Sequence, residues 1–139
     1  MAKFDIAFNR TIIAEGGYVN DPDDKGKETY MGISRVYHPK EIMWSVIDVM
    51  KKRHSGTVLN HVLRESSVVQ NNVKSIYKKE YWDVISLDDV PNQKIANEIF
   101  DDAVNRGVKS AIKTIQKVLG MNINGVINDE LINNLKHYK

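Results

Sequence analysis

Residues 15–32 read EGGYVNDPDDKGKETYMG, a stretch in which a predicted helix ends and a long polar loop begins. Its glycines, aspartates and proline are typical of turns, and its apolar residues lack the spacing of a helix. Loops of this length are uncommon inside a compact domain and usually have a function. We therefore expect the chemistry of this protein to lie in or beside this loop, with at most a short strand at residues 30–33.

Helical periodicity surrounds the loop. A helix is predicted at about residues 3–15, because Phe4, Phe8 and Ile12 recur at four-residue steps. Further helices are predicted after Ser34, in pieces that break near Pro39 and Gly56, and then at about residues 66–82, 92–106, 108–119 and after 128. Residues 87–90 are expected to form a linker. The pattern predicts a mainly α fold and a single domain over residues 1–139.

Composition excludes several classes of function. The 139 residues are 42% hydrophobic and 27% charged, which is ordinary globular usage. The absence of cysteine excludes disulfides, cysteine nucleophiles and thiolate metal sites. Twenty basic and 18 acidic residues leave a formal charge of +2, which does not favour a nucleic-acid partner.

The N-terminal sequence has no secretory signal, and no run reaches the ~20 apolar residues that a transmembrane helix needs. We expect synthesis in the cytoplasm and no stable membrane insertion.

Glu15 is the first candidate for chemistry. It lies at the predicted C-terminal end of a helix, where the helix dipole favours the protonated carboxyl, and burial among apolar neighbours would act in the same direction. Asp21, Asp23 and Asp24 follow in the loop. Two carboxyls in unlike environments form the acid and base of glycoside hydrolysis. An exposed helix-end glutamate without a role is the alternative, and the local sequence leaves both open.

Metal and nucleotide chemistry find little support in the sequence. The loop lacks the alternating acidic spacing and the terminal glutamate of an EF-hand calcium site. The four histidines lack metal-ligand spacing, and the chain has no phosphate loop, dinucleotide fingerprint or GxSxG motif. We expect no metal and no cofactor.

Several segments then carry a resemblance to a known family. EGGYVNDP at residues 15–22 continues through Asp24, Gly26 and Thr29 to GIS at 32–34, and is followed by IYKKEYWD at 76–83 and FDDAVNRG at 100–107. These segments resemble the bacterial and phage N-acetylmuramidases of glycoside hydrolase family 108, which are lysozyme-like proteins of the secretion-activator type. IQKVLG at 115–120 and NGVI at 124–127 resemble the predicted peptidoglycan-binding stretch that ends such proteins.

The resemblance implies a lysozyme-like helical domain with a long catalytic loop. Residues 1–90 would hold the catalytic helix, the loop and the middle helices, and residues 91–139 the C-terminal helices. The implied reaction is hydrolysis of the β-1,4 bond between N-acetylmuramic acid and N-acetylglucosamine, with Glu15 as the proton donor. The implied partner is the glycan strand of peptidoglycan.

The second catalytic group implied by the resemblance is Asp24, which with Thr29 would hold the attacking water. A water held on the face opposite Glu15 would invert the anomeric centre. The alternative for Asp24 is that it caps a turn of the loop.

The remaining candidates are side chains that would bind the glycan: Tyr18, Tyr81, Trp82, Asp102 and Asn105. The aromatic rings offer flat faces for sugars, although Trp82 is equally suited to the core. Asp102 and Asn105 lie three residues apart and could bond sugar groups in the same pocket as Glu15. A salt bridge from Asp102 to Arg106 is the alternative for the first of them.

The sequence also departs from the family pattern. Lys25 and Lys27 replace a proline and a glycine, Tyr30 replaces an asparagine, and residues 36–72 match poorly. A catalytically weak or inactive wall-binding module of the same fold is therefore the alternative function, against which Glu15 argues. A nucleic-acid binder using the basic residues 51–54 is a third interpretation, although a solvated helix end explains them as well. We expect a monomer that reaches the cell wall or periplasm through a holin-like pore or an exporter.

Overall fold

The computed structural model describes residues 1–12, 16–23 and 27–138. Within these ranges the fold is mainly helical with a small sheet, as the sequence predicts. The elements in chain order are α1 (Phe4–Ile12), β1 (Tyr18–Asn20), β2 (Glu28–Tyr30), β3 (Ile33–Ser34), α2 (Met43–Met50), α3 (Gly56–Glu65), α4 (Ser67–Tyr77), α5 (Gln93–Arg106), α6 (Val108–Val118) and α7 (Asp129–His137).

The chain divides into two compact units. Unit 1 consists of Met1–Ile13 and Tyr77–Lys139, and unit 2 of Ala14–Ile76. The prediction of a single domain, with its division at residue 90, stays a prediction. None of the helices in the described ranges has both the length and the apolar character needed to cross a bilayer.

An aromatic cluster forms the centre of unit 1. The rings of Phe4, Trp82 and Phe100 meet edge to face, with centroids 5.6–5.9 Å apart. Phe8 and Ile12 continue the buried stripe of α1, which confirms the predicted periodicity. Edge-to-face pairs of this kind add to the stabilisation that burial alone provides. Trp82 is fully buried, and is therefore a core residue.

The helix predicted over residues 66–82 is regular only as far as Tyr77. It continues as a π-helical turn, Lys78–Trp82, and then as two 3-10 turns, Asp83–Ile85 and Leu87–Asp89. The indole nitrogen of Trp82 donates a hydrogen bond to Asp88 at 2.7 Å. The linker predicted at residues 87–90 is thus a packed turn whose first and last side chains are buried.

The C-terminal helices end and begin at the predicted residues. Gly107, between α5 and α6, has a φ of 93°, which L side chains rarely adopt. Asn128 caps α7, because its side chain accepts a hydrogen bond from the backbone of Leu131 at 2.9 Å. Between α6 and α7 the chain turns at Asn124 and Gly125, and one residue of α6 holds this turn.

Gln116 is that residue. It is 1% exposed, and its amide oxygen accepts from the backbone nitrogens of Asn124 at 3.0 Å and Gly125 at 2.9 Å. Its amide nitrogen donates to the side chain of Asn124 at 2.9 Å and to the carbonyl of Val126 at 3.3 Å. One buried amide therefore organises the connection between α6 and α7.

The sheet of unit 2 is where the structure departs most from the sequence prediction. The strand expected at residues 30–33 is wrong, since Tyr30 and Ile33 are paired across a two-residue hairpin turn. Met31 and Gly32 form that turn with φ values of 47° and 81°. The stretch predicted as one long loop also contains all of β1 and β2, in antiparallel register, so that residues 21–27 connect the two strands.

The first helix of unit 2, α2, packs through part of its apolar sequence. Met43 and Ile47 of α2 are fully buried, but Ile42 is 63% exposed because it precedes the helix as its N-cap. Trp44 is buried instead, and its indole nitrogen donates to the carbonyl of His38 at 2.7 Å. The break expected near Gly56 is the start of α3.

Replacing Gln116 with alanine should lower the free energy of unfolding by about 2 kcal/mol, because three backbone groups and the Asn124 side chain lose their partner. Urea unfolding followed by circular dichroism measures this. Lys117→Ala, at the exposed next position, is the matched control and should change stability by less than about 0.5 kcal/mol. Equal effects of the two substitutions would contradict the role given to Gln116.

Candidate active site

The two catalytic candidates, Glu15 and Asp24, lie outside the described residues. Their roles stay predictions. The structure describes the segments beside them, 16–23 and 27–34, and the side chains that hold those segments.

The sheet beside the candidates has two faces. Side chains alternate along a strand, so cross-strand partners share a face. Tyr18, Asn20, Glu28, Tyr30 and Ile33 therefore form what we call the inner face. The outer face consists of Val19, Thr29 and Ser34. Tyr30 and Ile33 are buried, whereas Val19 is 50% exposed and Thr29 and Ser34 are half-buried, so the inner face contains the apolar packing of the sheet.

The predicted water-holding residue, Thr29, lies at the centre of the sheet. It pairs with Val19 on one side and with Ser34 on the other. Its main chain is thus fixed by two neighbouring strands, while its half-buried side chain belongs to the outer face. This placement is compatible with a role in holding water.

A charge network lies against the inner face, and we define it as Glu28, Arg35, Asp48, Lys51 and the phenol of Tyr18. Glu28 accepts hydrogen bonds from Arg35 at 3.0 Å, from Lys51 at 2.7 Å and from the Tyr18 hydroxyl. Arg35 also makes a bidentate pair with Asp48, at 2.7 and 2.8 Å. The network joins β1 and β2 to α2.

Protonation in the network follows from these contacts. Burial raises the pKa of Glu28, but hydrogen bonds from Lys51, Tyr18 and Arg35 outweigh it and hold that pKa below its ordinary value. Burial, together with the hydrogen bond to Glu28, raises the pKa of Tyr18. Glu28 is therefore an ionised acceptor at neutral pH and is unsuited to donate a proton.

Tyr18, predicted to stack on a sugar, is part of this network. The Lys51 ammonium lies 5.8 Å from the centroid of its ring, which is a cation–π contact. One face of the ring is thus covered by a cation. Stacking of a sugar on Tyr18 stays a prediction, and it would have to use the other face.

Asn60 of α3 holds the chain immediately after the candidate acid. Its side-chain oxygen accepts a hydrogen bond from the backbone nitrogen of Tyr18 at 3.0 Å. A Cβ atom on Gly17 would lie 2.6 Å from the Cγ of Asn60, well inside van der Waals contact. The second glycine of the EGG segment therefore makes room for the side chain that anchors the start of β1.

The candidates in unit 1 have protein partners. Asp102 forms a salt bridge with Arg106, and the Arg106 Nη2 lies 2.7 Å from its second oxygen, so the alternative considered for this residue is present. The Asn105 amide donates to the carbonyl of Asp101 at 2.8 Å. The ring of Tyr81 lies 5.5 Å from that of Tyr77.

A cavity of about 650 Å³ opens beside Asp102 and Asn105. Its wall is mostly apolar and comes from α5, α6 and the end of α7. The expectation that Asp102 and Asn105 share a pocket with Glu15 concerns a residue outside the described ranges, and stays a prediction. Within the described ranges, no cluster of three or more histidine, aspartate or glutamate side chains is placed to hold a metal ion.

Comparison with known proteins decides the family. The sequence profile of the family described as Glycosyl hydrolase 108 matches residues 8–107. The chain belongs to this family. The members of this family are glycoside hydrolases. The general function of this chain is therefore that of a lysozyme-like peptidoglycan hydrolase.

A solved structure supports the assignment. The chain is similar to the protein in "Structure of Brucella abortus SagA", with 26% sequence identity and a TM-score of 0.61. The alignment covers 98% of this chain and 70% of that one. A search of curated proteins gave no significant match. The profile match ends at residue 107, so the resemblance of residues 115–127 to a peptidoglycan-binding stretch stays a prediction.

Sequence reasoning missed the charge network and Asn60. The sequence predicts no role for Glu28 or Asn60, and it indicates only a solvated helix end for Lys51. The partners of Glu28 are 7–23 residues away along the chain, and Asn60 is 42 residues from Tyr18. The one local signal was the unusual EGG sequence, because a double glycine after a helix leaves space for another side chain.

Gly17→Ala should cost about 1 kcal/mol beyond the ordinary glycine effect, because the new methyl group displaces Asn60 from the Tyr18 amide. In an Asn60→Ala background the same substitution should cost little, since the displaced partner is already absent. A double-mutant cycle on urea unfolding measures the coupling. Additive effects of the two substitutions would contradict the contact.

The Arg35–Asp48 pair should stabilise the protein in a pH-dependent manner. Hydrogen bonds from Arg35 lower the pKa of Asp48 to about 2, against burial, which raises it. Because the folded pKa is the lower one, the stabilisation is present above about pH 4 and is lost as the pH falls towards 2. The difference in Tm between wild type and Asp48→Asn should therefore be clear at pH 7 and shrink at pH 2.

Asp83→Asn is the control for this experiment. It removes an exposed ion pair with Lys78, and exposed pairs contribute little to stability. A Tm difference for Asp48→Asn that does not change with pH would contradict the assignment.

Proposed function

We propose that this protein is an N-acetylmuramidase, which hydrolyses the β-1,4 bond between N-acetylmuramic acid and N-acetylglucosamine in peptidoglycan. The observation that carries the proposal is the family match over residues 8–107, a range that includes Glu15 and the whole EGGYVNDP segment. The similarity to SagA over 98% of the chain supports the same conclusion.

In this proposal Glu15 donates a proton to the glycosidic oxygen of the leaving sugar. The sequence places it after α1, where a helix C-terminus favours the neutral carboxyl. The segment that follows it is held by the bond between Asn60 and the Tyr18 amide. A general acid needs such a fixed environment, because proton transfer depends on hydrogen-bond geometry.

Asp24 and Thr29 position the attacking water in the same proposal. The central position of Thr29 in the sheet, on the face opposite the charge network, supports this role. If the water attacks from the side opposite Glu15, the product has inverted configuration, and the two carboxyls lie ~6.5–9.5 Å apart.

The glycan contacts proposed for Tyr18, Tyr81, Asp102 and Asn105 come from the family resemblance. Asp102 and Asn105 at the rim of a cavity are in a suitable place for a ligand, although their side chains already have partners in the protein. We also propose that the protein acts as a monomer at the cell wall or periplasm, after release through a holin-like pore or by an exporter.

Glu15→Gln should lower muramidase activity by ~10²-fold or more, because the amide cannot supply the proton. The Tm should remain nearly unchanged. The measurement is clearance of purified peptidoglycan, with mass spectrometry of the released fragments to identify the bond that is cleaved.

Glu65→Gln is the matched control, since Glu65 is an exposed glutamate at the C-terminal end of α3. It should retain wild-type activity. Wild-type turnover by Glu15→Gln would show that another group is the acid, and peptidoglycan binding without hydrolysis by the wild type would favour the wall-binding module. NMR of the first product anomer tests the water-holding pair, and retained configuration would discard it.

A further inference from the structure

Glu28 accepts hydrogen bonds from three side chains of unit 2, and the family resemblance gives it no role. Its side chain is 13% exposed and accepts hydrogen bonds from Tyr18, Arg35 and Lys51. A carboxylate this buried must be paired to remain ionised. The three donors fulfil that condition, so Glu28 is strongly held in one position.

The restraint on Glu28 also acts on the connection between β1 and β2, because Glu28 lies at its base. Glu28 pairs with Asn20 at the end of the β1–β2 register, which is the point where the connection of residues 21–27 leaves the sheet. The backbone nitrogen of Asp21 also donates to the carbonyl of Lys27 at 3.1 Å. The base of the connection is therefore closed by main-chain bonds and tied to α2 by the Glu28 side chain.

The charge network also contains contacts that do not depend on Glu28. Arg35 and Lys51 both contact Asp48, at 2.7 and 3.3 Å, and these contacts do not involve the strand. Removing the charge of Glu28 would leave both cations paired with Asp48. It would, however, remove the ionic link between β2 and α2.

Thr29 follows Glu28 directly and faces the opposite side of the sheet. Because side chains alternate, a restraint on Glu28 at the inner face fixes the direction of Thr29 at the outer face. Tyr30 gives a second restraint on the inner face, since its hydroxyl accepts a hydrogen bond from Gln70 at 3.1 Å. Thr29 thus lies between two anchored residues.

We propose that Glu28 is a positioning residue for the hydrolytic reaction, which holds Thr29 and the base of the 21–27 connection in the geometry needed to place the attacking water. The inference rests on the proposed muramidase function. Glu28 itself does not contact substrate in this proposal, and acts only through the strand that it anchors.

The test compares Glu28→Gln and Glu28→Asp with wild type on soluble peptidoglycan glycan fragments. Glu28→Gln should lower kcat by ~10-fold to ~100-fold with little change in KM, because misplacing the water affects the chemical step more than binding. Glu28→Asp keeps the charge and should recover part of the loss. Asp83→Asn, which removes an exposed ion pair in unit 1, should leave kcat unchanged.

A second measurement is independent of substrate. Hydrogen–deuterium exchange should become faster in residues 18–20 and 28–30 of Glu28→Gln, and remain unchanged in α6. Lys51→Met, which removes one of the three donors to Glu28, should give a smaller change of the same kind if Glu28→Gln does not fold.

The outcomes separate the two proposals. Faster exchange together with a lower kcat supports the positioning role. An active wild type with unchanged kcat in Glu28→Gln overturns that role and leaves the muramidase assignment intact, even if exchange is faster. A folded wild type that hydrolyses no glycan overturns the proposed function, and the positioning role with it.

Discussion

The small sheet of unit 2 is held to α2 by the ion pairing of one largely buried carboxylate, that of Glu28. Three strands of two or three residues cannot be stable alone, and they need a packed face against other elements. Glu28 supplies an ionic link to α2, and Tyr30 and Ile33 supply apolar burial on the same face. These side-chain anchors lie on the face of the sheet opposite Thr29. Thr29 is therefore not needed for the packing that stabilises the sheet.

The family segments combine structural and chemical residues. In FDDAVNRG, Phe100 and Ala103 are buried, and Gly107 adopts the backbone conformation that separates α5 from α6. In IQKVLG, whose resemblance to a peptidoglycan-binding stretch stays a prediction, Gln116 holds the turn at 124–125 through four hydrogen bonds. A recurrent motif therefore identifies the fold more securely than it identifies a site. This is why the catalytic assignment has to rest on Glu15 and its loop rather than on the number of matching segments.

Local periodicity predicted most of the helices, because apolar spacing and glycine stops are properties of neighbouring residues. The strands could not be predicted in this way, since each is too short to show alternation. Met31 adds to the difficulty, as its left-handed conformation marks a hairpin turn that its residue type does not indicate. The charge network could not be predicted either, because Glu28, Arg35 and Lys51 are separated in the sequence and meet only after folding. The sequence indicated the candidate site through its motif, while its supporting contacts required the structure.

The supporting contacts hold the chain after Glu15 and again after Asp24. Gly17 and Tyr18, just after Glu15, are fixed by Asn60, whose side chain occupies the space that a Cβ on Gly17 would take. Glu28, at the other end of the connection, is fixed by α2. Two different helices thus hold the two ends of the segment that contains Asp24. The two ends of the segment that carries Lys25 and Lys27 are therefore set by side chains that lie outside it.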